Sequence, residues 1–248
     1  TKTIRAWFRD AGGNTSSSYA SDDIILDMVG PSITAFSINN GAAYTGSTSA
    51  TINFSGTEPW PPVDLCARNA QDCNGSSSTM WTEVATSSPF TSSISYTLPS
   101  GDGVKTVYGK FRDDGPNYSD YYSDTITLDT SAPTGSITIS SGTCVPSTSV
   151  CTTKFVTGQT VNLTLYAYDQ WTPLTRKISN DVNFGTYTSG AQSNGSNDTV
   201  SNWDIGSGTG YKTVYAKFTD GGGHENSSPY SDIVYRDTMA PSGTMVSR

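Results

Sequence analysis

One nine-residue segment occurs three times in this chain of 248 residues. Each copy follows the pattern Lys-Thr-[Ile/Val]-[Arg/Tyr]-x-x-Phe-x-Asp, and the copies span 2–10, 105–113 and 212–220. The period is therefore roughly 100 residues, which is the size of a small domain rather than of a solenoid unit. A segment repeated at this spacing predicts one domain type present in tandem copies.

The repeats are punctuated by an Asp–Pro linker. Each copy of the segment leads into a Gly- and Asn-rich turn, a short apolar run and then an Asp followed four residues later by Pro, at 27–31, 129–133 and 237–241. Proline lacks a backbone N–H and biases its predecessor towards extended geometry, which suits a linker. The prolines predict complete repeats at 31–132 and 133–240, the last two strands of a preceding repeat at 1–30, and a first or exchanged strand at 241–248. We expect the chain to be a window onto a longer protein, with strand exchange between neighbouring chains as the alternative.

The residue pattern predicts an all-β fold. Apolar residues make up 34% and charged residues 15% of the chain, and Gly, Ser, Thr and Asn separate the short apolar runs. Within the repeated segment the hydrophobic period is two, so Val107, Gly109 and Phe111 should face a core. Short alternating strands between turn residues are typical of a β-sandwich.

Two pairs of cysteines predict two short-loop disulfides. Cys66 lies seven residues before Cys73, and Cys144 lies seven residues before Cys151. An even count in a chain of this composition indicates disulfides and an oxidising compartment. A zinc site is the competing interpretation, but four cysteines divided between two repeats without a CxxC pattern disfavour it.

Charge and motifs exclude several function classes. The net charge of −8 and the pI near 4.4 argue against nucleic-acid binding, which needs basic surfaces. The sequence contains no apolar stretch near the roughly 20 residues of a membrane helix. Its single histidine, His224, lies in a Gly-rich turn, and no nucleophile, zinc-protease or phosphate-loop motif accompanies it. We therefore expect no enzymatic activity and no catalytic residues.

Three recurring strings resemble bacterial immunoglobulin-like repeats. They are Lys-Thr-Val-Tyr-x-Lys-Phe-x-Asp, the Tyr-Ser-Asp at 122–124 and 230–232, and the linker Asp-Thr-x-Ala-Pro. The resemblance implies tandem immunoglobulin-like (fibronectin III-like) β-sandwiches in a large secreted or surface-anchored protein. It leaves the function open, because this family serves as scaffold, stalk and adhesin. The sequence Met28-Val29-Gly30-Pro31 and the two cysteine loops depart from the family pattern.

Acidic turns near the linkers allow a calcium site. Asp113, Asp114 and Asp129 are expected to gather near a domain junction, and carboxylate oxygens suit Ca²⁺. Ordinary solvated acidic turns are the alternative, because no EF-hand spacing is present. No other cofactor is expected.

Two further groups of residues are candidates for modification or contact. Sequons at Asn74, Asn117, Asn194 and Asn226 are glycosylation candidates, although such tripeptides arise by chance in chains rich in Asn, Ser and Thr. Aromatic side chains at outward positions of the repeated segment suit contacts between subunits or domains; these are Trp7, Tyr108 and Tyr215. The tryptophans outside the segment, Trp60, Trp81, Trp171 and Trp203, either pack internally or stack on sugars.

The favoured hypothesis is an extracellular or cell-surface structural protein. Its tandem sandwiches would form a rod or filament by end-to-end assembly, with itself or with neighbouring repeats as partner. The alternative is a carbohydrate-binding or adhesive accessory module of a large secreted protein, with surface glycans as partner.

Overall fold

The computed structural model describes residues 1–75, 77–115, 117–144, 153–171 and 173–243. The described residues are almost entirely β-strand and turn, with short 3-10 turns at Asn39–Gly41 and Ser78–Met80. The strands up to the second linker are β1 (Lys2–Ala6), β2 (Ala20–Ile24), β3 (Ser32–Ile38), β4 (Tyr44–Thr45), β5 (Ser49–Thr57), β6 (Val63–Arg68), β7 (Thr82–Ala85), β8 (Phe90–Thr97), β9 (Gly103–Asp113) and β10 (Tyr122–Leu128). Those that follow are β11 (Thr134–Ile139), β12 (Thr143–Cys144), β13 (Lys154–Val156), β14 (Thr160–Tyr168), β15 (Leu174–Ser179), β16 (Thr188–Gln192), β17 (Asn197–Asp204), β18 (Gly210–Thr219) and β19 (Tyr230–Arg236).

The chain divides into two compact units. The first unit comprises Thr1–Ala42, Ser49–Leu98 and Lys105–Thr125, and the second comprises Ala43–Thr48, Pro99–Val104 and Ile126–Arg248. The domain boundaries taken from the linker prolines follow a different division of the chain and stay predictions. No helix in the described ranges is long and apolar enough to cross a membrane.

The strands of the second repeat form a two-sheet sandwich. One sheet has the order β11-β14-β17, and the other has the order β12-β13-β19-β18-β15-β16. Its pairs are antiparallel except β13–β19, which is parallel. Alternate residues of β14 and β18 are buried, as the period-two pattern requires. Buried aliphatic and aromatic side chains fill the interior, namely Ile137, Ile139, Val161, Leu163, Leu165, Ala167, Leu174, Ile178, Ile205, Val214, Ala216, Phe218 and Val234.

The strands of the first repeat follow the same order. Their sheets are β3-β5-β8 and β4-β10-β9-β6-β7, so each strand has a counterpart in the second repeat, and β10–β4 is the corresponding parallel pair. A three-stranded sheet facing a sheet built around the last two strands is the arrangement of immunoglobulin-like and fibronectin III-like sandwiches. The fold class predicted from the sequence is therefore confirmed, and the sequence repeat is also a structural repeat.

The repeated segment lies on β9 and β18 with the predicted alternation. Val107, Gly109 and Phe111 are buried, and the residues between them are partly exposed. A Cβ on Gly109 would lie 2.4 Å from Cε2 of Phe36, so the Phe36 ring occupies the space that a larger residue would need. The second repeat has Ala216 at the corresponding position.

The first copy of the segment forms a hairpin of two strands. β1 pairs with β2 in the same register as β18 with β19, since Lys2 faces Ile24 as Lys212 faces Val234. All ten residues of β1 and β2 are exposed, Ile4 to 67% and Ile24 to 60%. Ile4 and Ile24 correspond to Val214 and Val234, which are buried in the core of the second repeat.

The predicted disulfide between Cys66 and Cys73 is present. Both cysteines are fully buried and pack with Trp81 in a small cluster beside the β6–β7 hairpin. Cys144 is also disulfide-bonded. Its predicted partner, Cys151, lies outside the described residues.

Candidate metal centre

Two clusters of three carboxylates lie at corresponding places in the two repeats. The first cluster is Asp27, Glu58 and Asp113; the second cluster is Asp129, Asp169 and Asp220. In each cluster the three residues offer oxygen atoms that all lie within 4.8 Å of one another. The first cluster lies entirely within the first unit and the second entirely within the second unit.

Each cluster draws on the same three segments of a repeat. The first member, Asp27 or Asp129, begins the Asp–Pro linker. The second member, Glu58 or Asp169, directly follows β5 or β14, the middle strand of the three-stranded sheet, and precedes a Trp-x-Pro sequence. The third member is the Asp that ends the repeated nine-residue segment. The fold therefore brings together three positions that are distant in sequence and occur in both clusters.

In the first cluster, backbone amides fix one oxygen of each carboxylate. The N–H of Val29 donates to Asp27 Oδ1 at 3.2 Å, and the N–H of Trp60 donates to Glu58 Oε1 at 3.0 Å. Asp113 accepts both the N–H and the side-chain amide of Asn117 at 2.9 Å. Glu58 is completely buried, and its Oε2 has no hydrogen-bond partner.

The second cluster repeats this arrangement. The N–H of Ser131 donates to Asp129 Oδ1 at 3.2 Å, and the N–H of Trp171 donates to Asp169 Oδ1 at 2.9 Å. Asp129 is completely buried and Asp220 is 7% exposed, yet Oδ2 of each lacks a hydrogen-bond partner. Asp129 and Asp220 thus each keep one oxygen free for the shared centre.

A histidine borders the second cluster at the position of Asn117. The N–H of His224 donates to Asp220 Oδ1 at 2.9 Å, as the Asn117 N–H does to Asp113. The imidazole Nδ1 lies 3.6 Å from Asp220 Oδ2, which is too long for a hydrogen bond even though the two groups are close enough to count as an ion pair if the imidazole is protonated. Both atoms are therefore buried without a hydrogen-bond partner.

The clusters are electrostatically unfavourable without a cation. Burial raises the pKa of Glu58, and the nearby carboxylates of Asp113 and Asp27 raise it further. Burial likewise raises the pKa of Asp129, with the neighbouring carboxylates of Asp169 and Asp220 acting in the same direction. Among the residues that the structure describes, no lysine or arginine forms an ion pair with any of the six carboxylates.

The donor set selects the class of metal ion. The three residues of each cluster offer carboxylate oxygens, which suit hard cations such as Ca²⁺ and Mg²⁺; the imidazole of His224 is a nitrogen ligand beside the second cluster only. Three carboxylates carry enough charge to bind a divalent ion, and a buried unpaired carboxylate costs several kcal/mol unless a cation compensates it. The residues therefore fit a calcium ion in each cluster.

The sequence identified two of these six residues. It grouped Asp113 with Asp114 and Asp129, whereas the structure places Asp113 in the first cluster and Asp129 in the second. Asp114 is exposed and belongs to neither cluster. The signal that sequence reasoning missed is the acidic residue two positions before Trp60 and Trp171, which recurs together with the Trp-x-Pro pair.

Each of the four sequon asparagines makes a hydrogen bond within the folded chain. Asn117 binds Asp113, and Asn194 exchanges hydrogen bonds with the backbone of Asp169 at 3.0 and 2.6 Å. Asn226 is 7% exposed and accepts a hydrogen bond from the N–H of Phe218 at 2.6 Å. Asn74 accepts a hydrogen bond from the Tyr121 hydroxyl at 3.3 Å. Glycosylation at these positions stays a prediction.

The outward aromatic residues differ in exposure. Trp7 is 56% exposed and packs against Tyr19, whereas Tyr108 and Tyr215 are half-buried. Their predicted role in contacts between subunits stays a prediction. Trp81 is 7% exposed and packs in the interior, whereas Trp60 is 46% exposed and lies on the surface.

Comparison with protein-family models and with curated proteins gives no match. Similar solved structures include a tetra-tandem repeat in the extending region of a large adhesion protein, with 18% identity and a TM-score of 0.31 over 95% of this chain and 56% of that one. They also include the FN1–FN3 domains of chicken CNTN1, with 11% identity and a TM-score of 0.42 over 95% of this chain and 78% of that one. Fibronectin(III)-like modules of Clostridium thermocellum CbhA show 13% identity and a TM-score of 0.40 over 86% of this chain and 100% of theirs. The chain spans about half the length of the adhesion-protein repeat. The fold assignment therefore rests on the strand order and register of the chain itself.

Proposed function

We propose that this chain is a structural segment of an extracellular, adhesion-type protein, in which Ca²⁺ fastens each Asp–Pro linker to the sandwich that follows. The observation that carries the proposal is the pair of equivalent carboxylate clusters, each with a buried oxygen that lacks a partner. A cation bound there would join Asp129 of the linker to Asp169 and Asp220 of the second sandwich. Stiff linkers are what a spacer or adhesive rod requires.

The extracellular setting is supported by the disulfides. Cys66 and Cys73 form a buried disulfide that closes a short loop, and such bonds persist in oxidising compartments. Free Ca²⁺ is abundant outside cells, where modules bind it with dissociation constants of about 10⁻⁴–10⁻³ M. The disulfide and the calcium sites thus favour the same environment.

End-to-end assembly is the finer part of this proposal. The β1–β2 hairpin exposes Ile4, Phe8 and Ile24, whose counterparts Val214, Phe218 and Val234 are fully buried in the second repeat. We infer that strands of another sandwich of the same type cover this face. Electron microscopy tests the inference: filaments with a regular axial repeat support it, and single particles contradict it.

Isothermal titration calorimetry with Ca²⁺ tests the metal sites. We expect two calcium ions per chain, one for each cluster, and one ion after Asp113→Asn. Asp114→Asn is the matched control, because it removes the same charge from the adjacent exposed residue and should leave the stoichiometry at two. No binding by the wild-type chain, or equal losses in the two variants, would refute the assignment.

A further inference from the structure

The surface around Tyr187 in the second repeat has no role in the clusters or the linkers. Tyr187 lies in the connection between β15 and β16 and is 52% exposed. Tyr187 lines two depressions, both within the second unit. The lysine-lined depression has a volume of about 440 Å³, and the tryptophan-lined depression has a volume of about 190 Å³.

Two lysines face each other in the lysine-lined depression. Lys177 and Lys217 are directly opposed on the antiparallel strands β15 and β18, a placement of like charges that destabilises a sheet. Both contact the same carboxylate, because Lys177 Nζ lies 2.6 Å from Glu225 Oε2 and Lys217 Nζ lies 2.9 Å from Glu225 Oε1. One glutamate neutralises only one of two ammonium groups. The depression therefore keeps one positive charge on a chain whose net charge is −8.

The contacts between Glu225 and Lys177 favour the charged form of both groups. Burial raises the pKa of Glu225, but the hydrogen bonds from Lys177 and Lys217 outweigh it, and the pKa is lowered. The hydrogen bond to Glu225 raises the pKa of Lys177. Each ammonium has three N–H donors, and the pair shares one carboxylate, so donors remain for a ligand.

Aromatic rings border the two ammonium groups. Lys177 Nζ lies 5.4 Å from the centre of the Tyr187 ring, and Lys217 Nζ lies 5.7 Å from the centre of the Phe184 ring. In the tryptophan-lined depression, the Trp203 indole N–H donates to Asn180 Oδ1 at 2.8 Å. The Asn180 amide in turn donates to the carbonyl of Asp204 at 2.8 Å, so both side chains are held in place.

The loop that carries Phe184 is fixed before any ligand arrives. Asp181 accepts the N–H groups of Asn183 at 3.0 Å and Gly185 at 3.1 Å, so its carboxylate is occupied within the loop. Phe184 has φ of 54°, a left-handed conformation that is costly for a bulky aromatic residue. The Phe184 ring is therefore held beside Lys217 by its own loop, and such preorganisation reduces the entropy lost on binding.

We propose that this surface binds an acidic oligosaccharide, with sugar rings stacked on Tyr187 and Trp203 and a sugar carboxylate bound by Lys177 and Lys217. Sugar rings present apolar C–H faces that pack on aromatic rings, and the carboxylate accepts charge-assisted hydrogen bonds from the lysines. This site goes beyond the proposed function and requires no calcium.

The corresponding place in the first repeat is built differently and supplies a control. Lys110 corresponds to Lys217, but its Nζ lies 5.0 Å from the Tyr118 ring and 4.9 Å from the Tyr121 ring. The residue opposite Lys110 on β6 is the disulfide-bonded Cys66, so the first repeat lacks the second lysine. Replacing Lys217 tests the proposed site, and replacing Lys110 tests whether the loss of one positive charge elsewhere has the same effect.

Calorimetric titration of the whole chain with trigalacturonate and with sialyllactose tests the proposal, each run in calcium and in chelator. The matched neutral ligands are the trigalacturonate methyl ester and lactose. We expect at least one acidic ligand to bind, its neutral partner to bind about tenfold more weakly, and Tyr187→Ala and Lys217→Ala each to weaken binding about tenfold. Lys110→Ala should leave binding unchanged, and thermal unfolding should show that all variants fold.

Three results would overturn the proposal. They are no binding of either acidic ligand at millimolar concentration, equal binding of an acidic ligand and its neutral partner, and an equal loss in Lys110→Ala and Lys217→Ala. Binding that persists in chelator supports the site even if the calcium assignment fails, so the two proposals are tested separately.

Discussion

Replacing Asp129 by asparagine should stabilise the chain without calcium and remove the extra stability that calcium gives at the second cluster. Asparagine keeps the shape of the side chain and retains the Oδ1 that accepts the Ser131 N–H. Its amide takes the place of the buried Oδ2 that lacks a partner, and an amide donates hydrogen bonds where a carboxylate only accepts them. In chelator the substitution should therefore relieve repulsion with Asp169 and Asp220.

The magnitude follows from the spacing of the charges. The carboxylate oxygens lie within 4.8 Å of one another. Two unit charges at such a distance repel by about 3 kcal/mol at an effective dielectric constant of about 20. Proton uptake by the cluster limits how much of this repulsion persists, so we expect Asp129→Asn to gain about 1–3 kcal/mol in chelator. In calcium at about 100 times the dissociation constant, the wild type gains about 2.7 kcal/mol per site, and the variant loses this gain at the second cluster.

Differential scanning calorimetry in chelator and in calcium measures both effects. About 1 kcal/mol corresponds to a shift of about 2–4 °C for a protein of this size, so the expected changes are resolvable. Asp114→Asn, which changes an exposed residue outside both clusters, should leave both transitions unchanged. If Asp129→Asn destabilises the chain equally in the two conditions, the cluster is a structural hydrogen-bonding group and not a metal site.

Three further predictions concern packing and pH. Gly109→Ala should destabilise the chain by about 1–3 kcal/mol in urea unfolding, because the new methyl group meets the Phe36 ring; a neutral result would show that the ring can move away. Gly30→Ala should lower the thermal midpoint of unfolding, because a Cβ at position 30 would lie 2.7 Å from the backbone carbonyl of Tyr118. An unchanged midpoint would mean that the linker around Gly30 can move away from Tyr118. In chelator, stability should fall as the pH rises above the unfolded pKa values of 3.8 for Asp129 and 4.5 for Glu58, because burial raises the pKa of both carboxyl groups in the folded state. This contribution to stability is complete below the unfolded pKa values and is lost as the pH passes the raised folded pKa values. Urea titrations that show stability rising with pH would contradict the account.

The strand pattern was predictable because it depends on local periodicity. The alternation around Val107 and Phe111 specifies which side chains point inward, and the structure buries those residues as expected. The disulfide between Cys66 and Cys73 was predictable from proximity in sequence. The need for glycine at position 109 was not, because the ring that fills the space comes from Phe36 on another sheet.

The acidic clusters were only partly predictable because their members come from three distant segments. Asp113 and Asp129 drew attention as recurring acidic residues, but their partners depend on sandwich topology. Glu58 and Asp169 differ in residue type and were therefore not aligned as one position, although Trp-x-Pro follows both. Treating the acidic residue and the Trp-x-Pro as one motif would have identified them.

The surface around Tyr187 was not predictable from local sequence. Lys177 and Lys217 meet only because β15 and β18 pair in one register, and Glu225 reaches both from a separate turn. The sequence did single out Trp203 as a tryptophan outside the repeated segment. It could not show that Asn180 and Tyr187 lie beside it, since loop conformation places them there.

Anomalous X-ray scattering from crystals grown in calcium tests the central claim most directly. The account predicts two peaks per chain, one among Asp27, Glu58 and Asp113 and one among Asp129, Asp169 and Asp220. Calcium–oxygen distances of about 2.3–2.6 Å should accompany each peak. Crystals in which both clusters lack a peak at saturating calcium, with the carboxylates protonated or hydrogen-bonded to water instead, would contradict it.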